Sequence, residues 1–187
     1  DGSSSMSQNP YGTVMNFGIK QGFAKVHFQS IISSNHKLSY GLNTIFYNVN
    51  PGSIEPTCKD STFVTPIYLG IEQGVEAALY VSDTWDITDK FSTDLGIRYS
   101  SFFAMKPFKY YGGPEFRLSG KYLIDDIFTV KAGFNSMMQY IHMLSNTTTA
   151  SPTDTWKLSD VDIKPQSGWQ AAAALYANLF ENQVEAS

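Results

Sequence analysis

From Leu38 to Phe46 apolar and polar side chains alternate: Leu38, Tyr40, Leu42, Thr44 and Phe46 hold the even positions, with Ser39, Gly41 and Asn43 between them. Successive side chains of a strand point to opposite faces, so a period of two predicts a strand with one apolar face. Val75, Ala77, Leu79, Val81 and Trp85 alternate in the same way with Glu76, Tyr80, Ser82 and Thr84. The pattern is clearest where Phe91, Leu95, Ile97 and Tyr99 alternate with Ser92, Asp94, Gly96 and Arg98. Phe116, Leu118, Tyr122 and Ile124 oppose Glu115, Arg117, Ser119 and Lys121, and Phe128, Val130, Ala132, Phe134, Met138 and Tyr140 oppose Thr129, Lys131, Asn135 and Gln139. Trp169, Ala171, Ala173, Leu175 and Leu179 oppose Gln170, Tyr176 and Asn178. In the first segment Phe17, Ile19 and Phe23 are odd but Ala24, Val26 and Phe28 even, a change of parity that predicts a β-bulge near Gly22.

About seven strands result, followed by a stub at Val184 to Ser187, and helical periodicity is nowhere comparable. Short connections are expected at Ser33 to His36, Asp86 to Lys90, Asp125 with Asp126, and Glu181 with Asn182. Long ones are expected over roughly Val49 to Gly70, Met105 to Pro114 and Leu144 to Gly168. Alternation of short and long sorts the loops to opposite ends, as in membrane barrels with strands of about 9 to 11 residues. A soluble β-sandwich has no reason for that sorting. Trp85, Tyr99, Tyr122, Tyr140 and Trp169 near strand ends suit an aromatic girdle, and Ala171, Ala173 and Ala177 would fill a sandwich core poorly. The expected fold is all-β, an antiparallel transmembrane β-barrel segment with every charged strand residue on one side. On that reading Leu95, Ile97, Leu118, Val130, Phe134 and Leu175 face lipid, and Asp94, Arg98, Arg117, Lys121 and Lys131 face a lumen. Ile97→Arg should then oppose membrane insertion, whereas Arg98→Ala should leave it intact.

Composition narrows the function. No apolar run reaches the about 18 residues of a membrane-spanning helix, and barrel strands need none. A net charge of −4 with no basic cluster argues against nucleic acid as a partner. Cys58 is the single cysteine, so an internal disulfide or a cysteine zinc cluster is excluded. The chain opens Asp1-Gly-Ser-Ser-Ser5, without the charged and apolar regions of a signal peptide, as expected of an internal piece or an unexported protein.

Candidate chemistry is sparse. His27, His36 and His142 lack a second ligand at a fixed short spacing, although His142 lies near Met137, Met138 and Met143. Asp154, Asp160 and Asp162 share a loop but not the spacing of a calcium loop, and read as a solvated acidic segment. No Gly-x-Ser-x-Gly elbow, no recognisable Cys and His pair and no phosphate-binding glycine loop occurs. Asn146-Thr-Thr148 matches a glycosylation triplet that is common by chance. The expectation is a protein that is not an enzyme and carries no cofactor or metal.

The segments Tyr80-Val-Ser-Asp-Thr-Trp85, Leu95-Gly-Ile-Arg-Tyr-Ser100, Tyr140-Ile-His-Met-Leu-Ser-Asn146, Pro152-Thr-Asp-Thr-Trp156 and Ile163-Lys-Pro-Gln166 resemble successive barrel segments of TonB-dependent receptors. Asn50-Pro-Gly-Ser-Ile54 and Val184-Glu-Ala-Ser187 fit the same order, so the resemblance covers most of the chain from about Gly18. It implies a bacterial outer-membrane barrel of about 22 strands closed by a plug, of which residues 1–187 would supply about seven to eight strands. It also implies nutrient uptake energised through TonB, with outer-membrane lipid as a partner. A plug domain, a TonB-contacting segment and an aromatic C-terminal residue are not found in this sequence, so an internal fragment of the barrel domain is expected. Lipoprotein-lidded glycan receptors carry an Asp-Gly-Ser-Ser pattern within a barrel strand, whereas Asp1-Gly-Ser-Ser4 is expected in a terminal loop. That disfavours the lidded subgroup while leaving a surface lipoprotein among the partners the resemblance allows.

The ligand pathway beside the plug would be lined by Arg98, Arg117, Lys131, Asn135 and Gln139. Substrate identity is not encoded in these segments. Two rivals of other classes are a small eight-stranded structural or adhesive barrel and a secreted, carbohydrate-binding β-sandwich.

Overall fold

The alternating segments all form strands. The computed structural model describes the backbone of residues 3–5, 13–56, 67–144, 155–179 and 184–186, and the side chains within 17–52, 69–144 and 155–178. Its strands are β1 (Ser3–Ser5), β2 (Thr13–Ser33), β3 (His36–Pro56), β4 (Ile67–Tyr68), β5 (Glu72–Thr88), β6 (Phe91–Met105) and β7 (Phe108–Leu123). They continue with β8 (Phe128–Gln139), β9 (Ile141–Leu144), β10 (Thr155–Leu158), β11 (Gln166–Leu179) and β12 (Val184–Ala186). Among the described residues there is no helix. Ten strands make one antiparallel sheet in the order β1-β2-β3-β5-β6-β7-β8-β11-β12, with β4 on β3, and β9 pairs with β10 apart from it; Ser3 and Ser4, expected in a terminal loop, lie in β1 opposite Asn16 and Met15 of β2. Each long strand therefore lies beside its neighbours in sequence, as a meander of hairpins requires. The sheet is not closed into a barrel within the described residues.

Connections at one end are short: Ser34–Asn35, Asp89–Lys90 and the turn over 124–127, where Asp125 Oδ1 accepts from the amides of Ile127 and Phe128. Glu181 and Asn182 lie outside the described residues. At the other end the expected long loop from Met105 to Pro114 is absent. Lys106 and Pro107 alone join β6 to β7, because the alternation continues through Phe108, Tyr110 and Gly112, paired with Met105, Phe103 and Ser101. The expected loop from Val49 is shortened too, since β3 runs on to Pro56. The long strands exceed about 10 residues: β2 and β3 have 21 each, more than a bilayer needs.

No bulge occurs at Gly22. Pairing with β3 is regular from Gly18 to Ile31, and the register shifts fall between Asn16 and Gly18 and between Ile31 and Ser33 instead. Phe23 consequently points to the opposite face from Val26 and Phe28 and is 81% exposed.

Register sorts the sheet into two faces. One carries rows such as Phe28, Tyr40, Val81, Ile97 and Phe116, and Leu95, Leu118, Phe134 and Ala171. Among described strand residues its only charged side chains are Lys20 and Asp83, and Asp83 is paired with His36 at 2.7 Å. Leu79 is 64% exposed there and Trp169 74%. The other face holds the remaining charges of the long strands, and all of the main buried cluster.

Candidate functional site

The buried cluster sits on the polar face, towards the end opposite the short turns. Tyr47 and Val49 of β3, Phe102 and Ala104 of β6, Tyr140 and Leu158 form it. Their apolar positions exist to receive the β9–β10 hairpin, which leaves β8 at Tyr140 and folds over β3 and β5 instead of standing free as a loop. Tyr140 stacks on Phe102 with centroids 5.0 Å apart, and its hydroxyl shares a 2.8 Å hydrogen bond with Ser100. It was expected in an outer aromatic girdle; it is 2% exposed because β8 parts from β7 beyond Asn135, turning Met138 and Tyr140 to the polar side. Trp85, Tyr99, Tyr122 and Trp169 are exposed on the apolar face.

Polar groups anchor the hairpin. Glu72 accepts from Lys157 Nζ at 2.7 Å and from the Leu158 amide at 2.8 Å, and Lys157 also pairs with Asp160 at 2.8 Å. Asp160 Oδ1 caps its own turn by accepting from the amides of Asp162 and Ile163, while Tyr111 donates to the Asp160 carbonyl at 2.6 Å. Asp160 is thus a paired, half-buried anchor and not part of a solvated acidic loop; Asp154 lies outside the described residues. Burial opposes the charges of both Lys157 and Asp160, but their pairing with each other, together with that of Lys157 to Glu72 and of Asp160 to the turn amides, outweighs it. Lys157 is held above its ordinary value and Asp160 below. His142 is 4% exposed, bonds Ser159 Oγ through Nε2 at 2.9 Å, and leaves Nδ1 without a partner. Burial pushes its pKa down.

Beneath the hairpin a second network crosses four strands. Tyr47 donates to Glu76 Oε2 at 3.0 Å, and Arg98 donates to Glu76 Oε1 at 2.8 Å. Arg98 Nε lies 3.5 Å from Glu115 Oε2, an ion-pair contact without hydrogen-bond geometry. Ser100 donates to Glu115 Oε1 at 2.7 Å. Arg98 is therefore the counter-ion of two buried carboxylates, and its loss would leave both unpaired, a cost in stability separate from the expectation for membrane insertion. Gln139 is likewise engaged, donating to the Ile141 carbonyl at 2.7 Å.

The remaining candidates lie nearer the short turns on the same face. Arg117, Asn135 and Gln170 are directly opposite one another on β7, β8 and β11. Lys131 faces Lys121 across the strands and stacks over Tyr176, its Nζ 4.3 Å from the ring centroid. His27 is bonded to Tyr80, and His36 to Asp83, so neither approaches a metal arrangement. No group of three potential metal ligands occurs among the described residues. Cys58 lies outside them. Sequence reading missed the hairpin and its Glu72 anchor. The available signal was apolar Trp156 and Leu158 alternating with Thr155 and Lys157 inside a segment otherwise read as loop.

No protein-family model matches the chain, and no curated protein matches it significantly. Among solved structures it is similar to the FrpB iron transporter from Neisseria meningitidis (F3-3 variant), at 18% identity and a TM-score of 0.49, over 71% of this chain and 22% of that one. The chain spans about a fifth of that protein's length.

Proposed function

We propose that this chain forms part of the wall of an outer-membrane β-barrel that takes up a nutrient, as a receptor and transporter and not an enzyme. The observation that carries the reading is the division of faces. Across the long strands one side presents Leu79, Ile97, Leu118, Phe134 and Leu175 to its surroundings, and the other gathers the charges. Contiguous apolar surface on this scale needs a cover, and hydrocarbon supplies one without any complementary shape. A meander with a polar interior matches a barrel wall, and the inward-folded hairpin fits a lumen that is partly filled by protein.

The resemblance to TonB-dependent receptors supports a finer version: a plugged barrel of about 22 strands energised through TonB. In that arrangement the plug and TonB contacts belong to other parts of the polypeptide. The test is fractionation and uptake with the complete gene product. It should partition with outer membranes, migrate differently on gels before and after heating, and lose substrate uptake when TonB is deleted. Recovery as a water-soluble monomer without detergent would refute the membrane reading; uptake indifferent to TonB would refute only the finer one.

A further inference from the structure

Most polar-face side chains are spent on one another near the hairpin; nearer the short turns Asp94 is bonded to Thr84 and Ser119 and Lys131 stacks over Tyr176, but several others are left without such contacts. Arg117, Asn135 and Gln170 form one row across β7, β8 and β11, and none of their side chains hydrogen-bonds to another described residue. Asn135 Oδ1 is buried without a partner. Four residues along β7, about 13 Å at about 3.3 Å per residue, Lys121 stands opposite Lys131. No carboxylate forms an ion pair with Arg117, Lys121 or Lys131 among the described residues.

Like charges placed directly across two strands are destabilising. The fold holds this pair without neutralising it. Between the two rows the surface is low: Ser119, Gly133 and Ala172 occupy the intermediate level. Packing does not demand a glycine there, since a Cβ on Gly133 would meet only the Leu118 carbonyl oxygen at 3.6 Å and Ser119 Cβ at 3.8 Å, ordinary contacts. Asp94 lines the same hollow as Arg117, Asn135 and Gln170, and Asp125 and Asp126 line that of the two lysines, but Asp94 and Asp125 are engaged by other donors. Asp94 accepts from Thr84 and Ser119 at 2.7 and 2.9 Å, and Asp125 caps the turn.

We infer that the groove between the Arg117–Asn135–Gln170 row and the Lys121–Lys131 pair binds a small solute bearing two or more anionic groups, carboxylate or phosphate. The guanidinium supplies a planar fork that suits either oxyanion, the two amides supply neutral donors beside it, and the ammonium pair receives the second charge. The inference rests on the transport reading, since it gives the substrate class of that pathway.

The test uses the full-length protein in detergent micelles, titrated calorimetrically with propane-1,2,3-tricarboxylate, with tripolyphosphate, and with uncharged propane-1,2,3-tricarboxamide. At least one anion should bind saturably and the amide should not; the two anions distinguish a carboxylate from a phosphate site. Arg117→Gln, the double change Lys121→Gln with Lys131→Gln, and Gly133→Val, which raises the floor without altering charge, should each weaken binding by about tenfold or more. Lys109→Gln, on the same face beyond the hairpin, should not. Strand circular dichroism in each sample establishes folding. Absence of saturable anion binding by the folded protein, equal binding of the amide, or affinity unchanged in the groove variants would overturn the site. Dependence of solubility on micelles is recorded in the same samples, so a failure of the membrane reading is seen separately from a failure of the groove.

Discussion

Gly74 gives the most direct test of how the hairpin is seated. A Cβ at this position would lie 2.6 Å from Phe102 Cζ, 2.8 Å from Phe102 Cε2 and 3.3 Å from Leu158 Cδ1. Carbon atoms prefer about 3.5–4.0 Å, so in Gly74→Ala the Phe102 ring must retreat by roughly 1 Å. It has nowhere easy to go: it is fully buried, with Tyr140 stacked on its face and Tyr47 at its edge. Overpacking of this kind costs about 1–3 kcal/mol. Loss of a flexible glycine from the unfolded chain returns less than about 1 kcal/mol. A net penalty of about 1–2 kcal/mol, felt where Phe102, Tyr140 and Leu158 meet, corresponds to a 5- to 30-fold change in the seating equilibrium. Hydrogen–deuterium exchange in micelles reads it directly: amides of Ile141–Leu144 and Thr155–Leu158 should exchange faster by that factor. Those of β7 opposite β8 should not change. Gly22→Ala is the control, since nothing lies within 4 Å of its added Cβ. Native exchange rates in Gly74→Ala, or equal acceleration in Gly22→Ala, would refute the proposed packing.

Arg98→Ala and Arg117→Ala should separate sharply in stability: the first leaves buried Glu76 and Glu115 without a counter-ion and should cost about 3–5 kcal/mol, the second close to nothing, by denaturant unfolding in micelles. Ile97→Arg should reduce the membrane-inserted fraction in refolding into lipid vesicles, a cost of about 2–4 kcal/mol if the residue lies at mid-membrane, whereas normal insertion would invert the assignment of faces. The hairpin should also respond to pH, followed by Trp156 fluorescence after Trp85→Phe and Trp169→Phe. Its seating should be firmest between the ordinary His142 value of 6.5 and the ordinary Lys157 value of 10.5. Below that window the released chain takes up a proton at His142 before the seated one does, and at lower pH still the Asp160 pair is lost as pH falls through its depressed value; above it, the Lys157 contribution disappears as pH passes its raised value. A profile flat from pH 4 to 10 would contradict the burial of His142, and one that stays flat below and above that range would contradict the Lys157–Asp160 anchoring.

Strand identity and face were readable from the sequence because alternation is a local property. Leu95 and Arg98 differ in parity, and that alone puts them on opposite sides of any strand they share. What lay beyond reach depends on partners distant in the chain. Nothing near Arg98 discloses that Glu76 and Glu115 flank it, so it could not be told apart from Arg117, whose guanidinium has no such neighbours. Tyr140 obeyed the parity of β8 in sequence yet turned inward, since β8 separates from β7 there and Phe102 offers a ring to stack on. Lys106 and Pro107 were submerged in a stretch rich in Tyr, Gly and Pro that resembled a loop, although Phe108 and Tyr110 kept the strand period. The bulge near Gly22 was inferred from apolar parity alone; Phe23 is an apolar residue left on the polar face, and the backbone pairing is undisturbed.

The hairpin also bears on the order in which the molecule assembles. The pairings of β2 with β3, β5 with β6, β6 with β7 and β7 with β8 each close a short segment, so those strands can zip from one turn to the next at little entropic cost. The contacts of Lys157 and Leu158 with Glu72 close separations of 85 and 86 residues. Closing a loop of that size costs more and gains nothing until both ends are ordered. If the strands join first, the carboxylate of Glu72 stays solvated through the joining of β5, β6, β7 and β8 and is dehydrated only when the hairpin arrives. Seating is then the closing step in the assembly of this part of the sheet, and a change such as Glu72→Gln would slow completion without touching the strand pairings that precede it.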